Sequence, residues 1–264
     1  MKLATKRSII LVAVAALAVF TWHLLQRNDS PFKAGPKIML WAWQRPENLD
    51  YIDTSKVGVA VLGGTISLSG NRVMLAQRVQ TLTVPKDAYV MAVVRIESNP
   101  SAPPVLSELQ VKETVKQILR AAAMPYVRCV QIDFDARKTE RLFYSAVLSG
   151  VRAALPGDVP LSMTALASWC DYDTWLNALP VDEVVPMLFR MGRGGDRVLA
   201  DLRQGRKLST DSGRLSVGLA TDEPAAFMAL RDSSKRASFA RVFLFSPRKW
   251  ERGSTLVQEV EQWL

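Results

Sequence analysis

The sequence predicts an α/β chain closed as a (β/α)8, TIM-like barrel, with an N-terminal membrane anchor and an extra β-hairpin after the second strand. Three observations predict it. Eight short apolar runs rich in strand-forming residues recur between residues 37 and 264. Amphipathic helical stretches separate several of them. No glycine-rich nucleotide loop and no Gly-Lys-Ser/Thr occurs to favour a doubly wound sheet, which stays as the alternative fold.

Residues 1–27 read as a targeting segment. Lys2, Lys6 and Arg7 precede the apolar run SIILVAVAALAVFTWHLL at 8–25. The run is long enough to span a membrane. The basic flank would leave the remainder outside the cytoplasm. The expectation is a periplasmic protein held to the inner membrane by an uncleaved N-terminal helix. Cleavage after Ala16-Leu17-Ala18, with secretion, is the alternative, and a buried helix is a third reading. Residues 28–36, NDSPFKAGP, form a polar linker. Residues 37–264 form the barrel domain.

The strand candidates are KIMLWAW (37–43), VGVAVL (57–62), AYVMAVVRIE (88–97), CVQIDFD (129–135), PLSMTAL (160–166), DEVVPMLFRM (182–191), LSVGLA (215–220) and ARVFLFS (240–246). TISLSGNRVMLAQR (65–78) reads as a hairpin turning at Ser69-Gly70-Asn71. Gly63-Gly64 reads as a turn rather than a phosphate cradle. Residues 107–123 begin with a capping pattern at Ser107 and Gln110 and place Val111, Val115, Ile118, Leu119 and Ala122 on one face. Residues 139–155 repeat that pattern, and weaker helices follow at 171–178, 194–204, 223–231 and 254–264.

Charge and side-chain inventory exclude several functions. The chain carries a formal +9. Removing the four basic residues of the first 27 from the total of 34 leaves 30 against 25 acidic, a net of about +5, scattered rather than clustered. Nucleic acid is not an expected partner. The only histidine, His23, lies in the targeting segment, so the domain has no histidine triad and no histidine metal site. Cys129 and Cys170 fall near opposite ends of neighbouring strands, too far apart to bridge.

In a barrel, chemistry gathers at the C-terminal strand ends. The fourth strand raises the question most sharply. Its period of two turns Ile132 and Phe134 to one face and Gln131, Asp133 and Asp135 to the other. Carboxylates facing inward must be paired or reach solvent. On the preceding strand Arg95 and Glu97 share the same step. An Arg95–Asp133 pair would be a purely structural solution. Above it Glu97 and Asp135 would both reach the mouth, where neighbouring carboxylates shift one another's pKa. Trp43 and Trp169 sit at or past strand ends and suit the apolar faces of sugar rings. Arg95, Gln131, Asp171 and Arg190 suit hydroxyls or acidic groups. Trp41 and Met187 read equally as barrel core. Asp171, Asp222 and Glu223 read equally as helix caps.

The segments QIDFDA (131–136), LSMTALASWC (161–170) and VDEVVPMLFRMG (181–192) resemble a family of exported bacterial proteins of unknown function, related in fold to glycoside-hydrolase barrels. The resemblance spans roughly 37–250 and implies a sugar-facing mouth. The fourth strand is also similar, more loosely, to chitinase-like barrels, whose alternating aspartates are followed two residues on by an acidic glutamate. Asp133 and Asp135 match those aspartates, and Arg137 stands where the glutamate would.

Three functions are weighed. The first is a glycoside hydrolase acting on envelope or extracellular polysaccharide. Asp135 would be the acid, Glu97 (or Asp171) its partner, Asp133 and Arg95 the supports, and Trp43, Gln131, Trp169, Asp171 and Arg190 the substrate contacts. The second is a non-catalytic glycan-binding or envelope-assembly protein, favoured by Arg137. The third is a metal-dependent hydrolase with Asp133, Asp135 and Glu97 as oxygen ligands. The nearby arginines oppose it, and the expectation is no metal and no cofactor. The expected partners are a carbohydrate polymer or oligosaccharide and the inner membrane.

Overall fold

The computed structural model describes residues 35–172, 175–206, 208, 215–233 and 239–264. Eight parallel strands follow one another around a closed sheet. They are β1 (Ile38–Ala42), β3 (Val57–Ser69), β6 (Val90–Ser98), β7 (Val127–Phe134), β8 (Leu161–Leu166), β9 (Glu183–Met187), β10 (Val217–Ala220) and β11 (Val242–Phe245). Closure is made by β1. It pairs with β11 from Ile38↔Val242 to Leu40↔Leu244, and with β3 from Ile38↔Val57 to Ala42↔Val61. The open doubly wound alternative is thereby removed.

Helices wrap most of the barrel. α1 (Glu108–Ala122) and α2 (Arg141–Ala154) cover the β6–β8 side. The short α3 (Trp169–Tyr172) follows β8, and α4 (Gly195–Arg203), α5 (Ala225–Arg231) and α6 (Thr255–Trp263) follow β9, β10 and β11. Among the described residues the first two crossovers hold no α-helix. The second contains β4 (Arg72–Gln77), which folds back on β3 from Gly64↔Gln77 to Ser69↔Arg72. A two-stranded ribbon of β2 (Glu47–Asn48) and β5 (Leu82–Thr83) braces both crossovers.

The hairpin begins inside strand β3 rather than after it. Gly63-Gly64 is not a turn, as expected from sequence, but a register shift within β3 opposite β6. A Cβ on Gly63 would lie 2.5 Å from the backbone oxygen of Ala121, so glycine here lets α1 pack directly on the strand. At the head of α1, Ser107 accepts from the Gln110 N–H at 3.3 Å. The Gln110 side chain takes the N–H of Leu106 at 2.6 Å and donates to Gly70 at 2.8 Å, which ties the helix to the hairpin turn.

Alternation along the strands sorts the core into layers. Ile132 and Phe134 point outward into the cluster beneath α1 and α2. Met39, Trp41, Ala60, Met91, Val93, Cys129, Val185 and Phe243 fill the barrel interior. Cys129 and Cys170 are both buried and are not joined by a disulfide. Trp41 lies against Gly218, where a Cβ would meet its ring at 2.8 Å.

The N-terminal end of the interior is polar and sealed. Arg241 and Glu183 are buried and 3.4 Å apart. Arg241 also donates to the carbonyl of Pro36 at 3.0 Å, and Ser216 donates to Glu183 at 2.5 Å. Burial pushes the Glu183 carboxyl up, while Arg241, Ser162 and Ser216 oppose that shift.

One expectation is corrected here. A periplasmic protein anchored in the inner membrane was read from residues 8–25. Among the described residues no helix is long and apolar enough to cross a membrane, and that stretch lies outside them.

Removing one member of the buried pair strands the other without a counter-charge. Arg241→Leu is expected to lower the unfolding free energy by about 3–5 kcal/mol at neutral pH in urea. Adding Glu183→Leu should recover most of that loss. A single variant within about 1 kcal/mol of the parent would show that the pair is solvated.

Candidate functional site

The opposite, C-terminal end of the barrel is open. A cleft of about 320 Å³ is lined by Trp41, Trp43, Arg95, Asp133, Asp135, Thr164, Leu166, Met187, Phe189, Arg190 and Phe245. Most come from the inward parity of a strand or the residue that follows it, and Phe189 and Arg190 come from the loop after β9. Because the strands are parallel, equivalent positions rise to the same rim.

One wall is aromatic. Phe189 and Phe245 stack at 5.5 Å with planes 2° apart. Trp41 meets Phe189 edge-on at 6.0 Å, and Trp43 meets Phe245 edge-on at 6.4 Å. Trp41 is held from behind. Its Nε1 donates to Gln131 Oε1 at 2.9 Å, and Gln131 Nε2 donates to Ser162 at 3.0 Å.

The loop carrying Trp43 is fixed by two arginines. Arg78 donates to the carbonyls of Trp43 and Arg45. Arg45 binds Glu47 at 2.7 Å and the carbonyls of Ser246 and Pro247. Glu47 in turn accepts the Trp250 N–H at 3.1 Å, and Trp250 Nε1 donates to the carbonyl of Trp41. The ends of the first and last strands are therefore tied together.

The facing wall is acidic. Asp133 is buried, and Thr164 donates to its Oδ1 at 2.7 Å. Burial raises its pKa to about 6. The charge of Asp135 adds to the rise and that of Glu97 adds less, while the Thr164 hydrogen bond and Arg95 oppose it. Asp135 stands exposed at the rim. Partial loss of water around its carboxyl pushes it up, Arg95 opposes, and Glu97 adds to the rise.

The other expected site residues divide. Arg95 reaches the cleft, but its ion pair is with Glu97 at 2.8 Å, not with Asp133. Its guanidinium also lies 5.9 Å from the Trp43 ring. Glu97 is outside the cleft lining, although its charge still adds to the rise at Asp135. Arg190 lines the cleft but is engaged by Asp222 at 2.6 Å and by Glu223. Gln131 is fully buried beneath Trp41. Trp169 is 4% exposed, packed against Tyr144 and Trp175 outside the barrel wall, and does not reach the cleft. Asp171 lies in α3, and its side chain is outside those described. Arg137 is exposed and precedes the 3-10 turn Lys138–Glu140, with its N–H taken by Glu140 at 2.7 Å. Among the described residues no three His, Cys, Asp or Glu side chains group to hold a metal ion.

Sequence reasoning passed over Thr164, Leu166, Phe189 and Phe245. The signal was present. Ser162, Thr164 and Leu166 share the inward parity of β8, and Gln131↔Ser162 registers β8 so that Thr164 stands level with Asp133.

No family model matches the chain, and no curated protein matches it. Among solved structures, that of the Bacillus cereus spore cortex-lytic enzyme SleL is similar, at 18% identity and a TM-score of 0.45 over 70% of this chain and 52% of that one. The chain thus spans about half the length of that protein. Of the expected resemblance to an exported bacterial family, what stands is the closed barrel of eight parallel strands; no family model shows the family.

The raised Asp133 pKa couples stability to pH. The folded chain keeps a proton that the unfolded chain releases between its ordinary value and about 6. Stability is therefore full below that window and lost as pH rises through it. Asp133→Asn, which keeps an acceptor for Thr164, should raise the unfolding free energy at pH 8 by about 2–3 kcal/mol and change it little at pH 4. Equal stability of variant and parent in urea at both pH values would show a solvated carboxyl.

Proposed function

We propose that the barrel takes a carbohydrate ring into the cleft and hydrolyses its glycosidic bond. The observation that carries this reading is an aromatic wall facing a buried carboxyl and a rim carboxyl in one cleft. Aromatic faces suit the C–H faces of sugar rings, and the polar edge suits their hydroxyls.

In this reading Asp135, exposed at the rim, protonates the leaving glycosidic oxygen. Asp133, once ionised, stabilises the positive charge developing on the ring. Water then completes hydrolysis and returns the proton to Asp135. The two carboxyls line one cleft from alternate positions of the chain, and a pair of carboxyls is what glycosidases use. Trp43 and Phe245 pack on the ring, while Gln131 positions Trp41 rather than touching substrate. Glu97, bound to Arg95, has no part in proton transfer, which alters the pairing read from sequence.

Binding without cleavage is the second reading. Two observations favour it: Arg137 stands exposed where the chitinase-like pattern carries its acid, and the Arg95–Glu97 pair neutralises one further carboxylate.

Full-length protein incubated with a panel of polysaccharides and oligosaccharides should release new reducing ends from one class. Asp135→Asn should cut that rate by about 100-fold or more while sugar binding, read from tryptophan fluorescence, survives. Binding with no turnover in either protein would select the second reading. No binding across the panel would remove both.

A further inference from the structure

Charge at the barrel mouth runs against the charge of the chain. The sequence as a whole is basic, at +9. In and around the cleft, two arginines stand among five carboxyls, those of Glu97, Asp133, Asp135, Asp222 and Glu223.

Neither arginine is free to greet an anion. Arg95 is bound to Glu97 at 2.8 Å. Arg190 is held by Asp222 and Glu223, and Glu223 also accepts the Arg190 backbone N–H at 3.0 Å. That grip fixes Arg190 at φ 52°, in the left-handed region disfavoured for a side chain of this size. The clamp thus restrains backbone and guanidinium together.

The Asp133–Asp135 side has no such partner. Asp133 is 6% exposed and lines the cleft. Thr164 occupies its Oδ1. Its Oδ2 has no hydrogen-bond partner among the described residues and is not sealed away from the cleft. A buried carboxylate with an open lone-pair side, opposite four aromatic rings, is a complement to an organic ammonium. The carboxylate supplies the counter-charge and the ring faces supply cation–π attraction. An anionic sugar would meet carboxylates that outnumber the arginines, and arginines already engaged.

We propose that the cleft selects a sugar carrying a free, protonated amino group, which descends to Asp133 while the aromatic wall packs on the ring. This rests on the carbohydrate reading and names the class of sugar within it. Asp135 at the rim stays free to act on the glycosidic bond.

Calorimetric titration of the full chain with tetrasaccharides of glucosamine, N-acetylglucosamine, galacturonic acid and glucose tests the inference. At neutral pH and low salt the glucosamine tetrasaccharide should bind about tenfold tighter than its N-acetylated form. The galacturonate should bind weakest. In Asp133→Asn, checked for folding by thermal unfolding, the ratio between the amine and its N-acetylated form should fall toward one. Equal or tighter binding of the N-acetylated, neutral or anionic tetrasaccharide overturns the amine inference and leaves the carbohydrate reading standing. A preference that survives Asp133→Asn overturns the assignment to Asp133. Absence of binding by all four overturns both.

Discussion

Everything in this structure follows from strand β1 hydrogen-bonding on both sides, to β11 and to β3. Closure leaves the eight parallel strands without a free edge, and it seals every second side chain inside a cylinder. A polar group on that parity has three outcomes. It finds a partner inside, it reaches the open end, or it destabilises the fold. The interior uses the first outcome at the bottom and in the middle, and the second at the top. Glu183 and Arg241 pair below, Gln131 bridges Trp41 and Ser162 at mid-height, and Asp133 with Thr164 marks the level where the packing opens.

The two ends of the barrel therefore carry opposite arrangements of the same residue types. Below, a carboxylate and a guanidinium face each other in a site closed to solvent. Above, guanidiniums and carboxylates also occur, but the arginines are drawn to the rim by Glu97, Asp222 and Glu223. Asp133 and Asp135 are left facing the cleft. The rim itself is held by main-chain contacts from Arg78 and Arg45, which join the loop after β1 to the loop after β11. Rigidity of that seam keeps the Trp43 and Phe245 rings in place opposite the acids, the pre-organisation that a ligand site needs.

The fold was largely legible. Period-two alternation and β-branched runs located all eight barrel strands, and helical periodicity located the helices after strands three and four within a residue or two. The exceptions have local causes. Gly63-Gly64 resembles a turn in one dimension, yet glycine was needed there for the approach of α1 to β3. Trp169 looked exposed because it follows a strand end, yet it begins a helical turn that rotates it outward against Tyr144 and Trp175.

By itself the sequence determined which residues could face inward, because strand parity is a property of the chain alone. It placed Asp133 and Asp135 on one face, set Trp43 at a strand end and excluded imidazole from the domain. Tertiary structure alone decided the partners. Whether Arg95 meets Asp133 or Glu97, whether Arg190 faces a ligand or Glu223, and whether Thr164 stands level with Asp133 depend on register between strands. That register depends on closure of the whole cylinder. Electrostatic pairing acts over a few ångströms in space, and apart from Arg95–Glu97 the intervals that matter here run between residues about thirty or more positions apart, which no local pattern encodes.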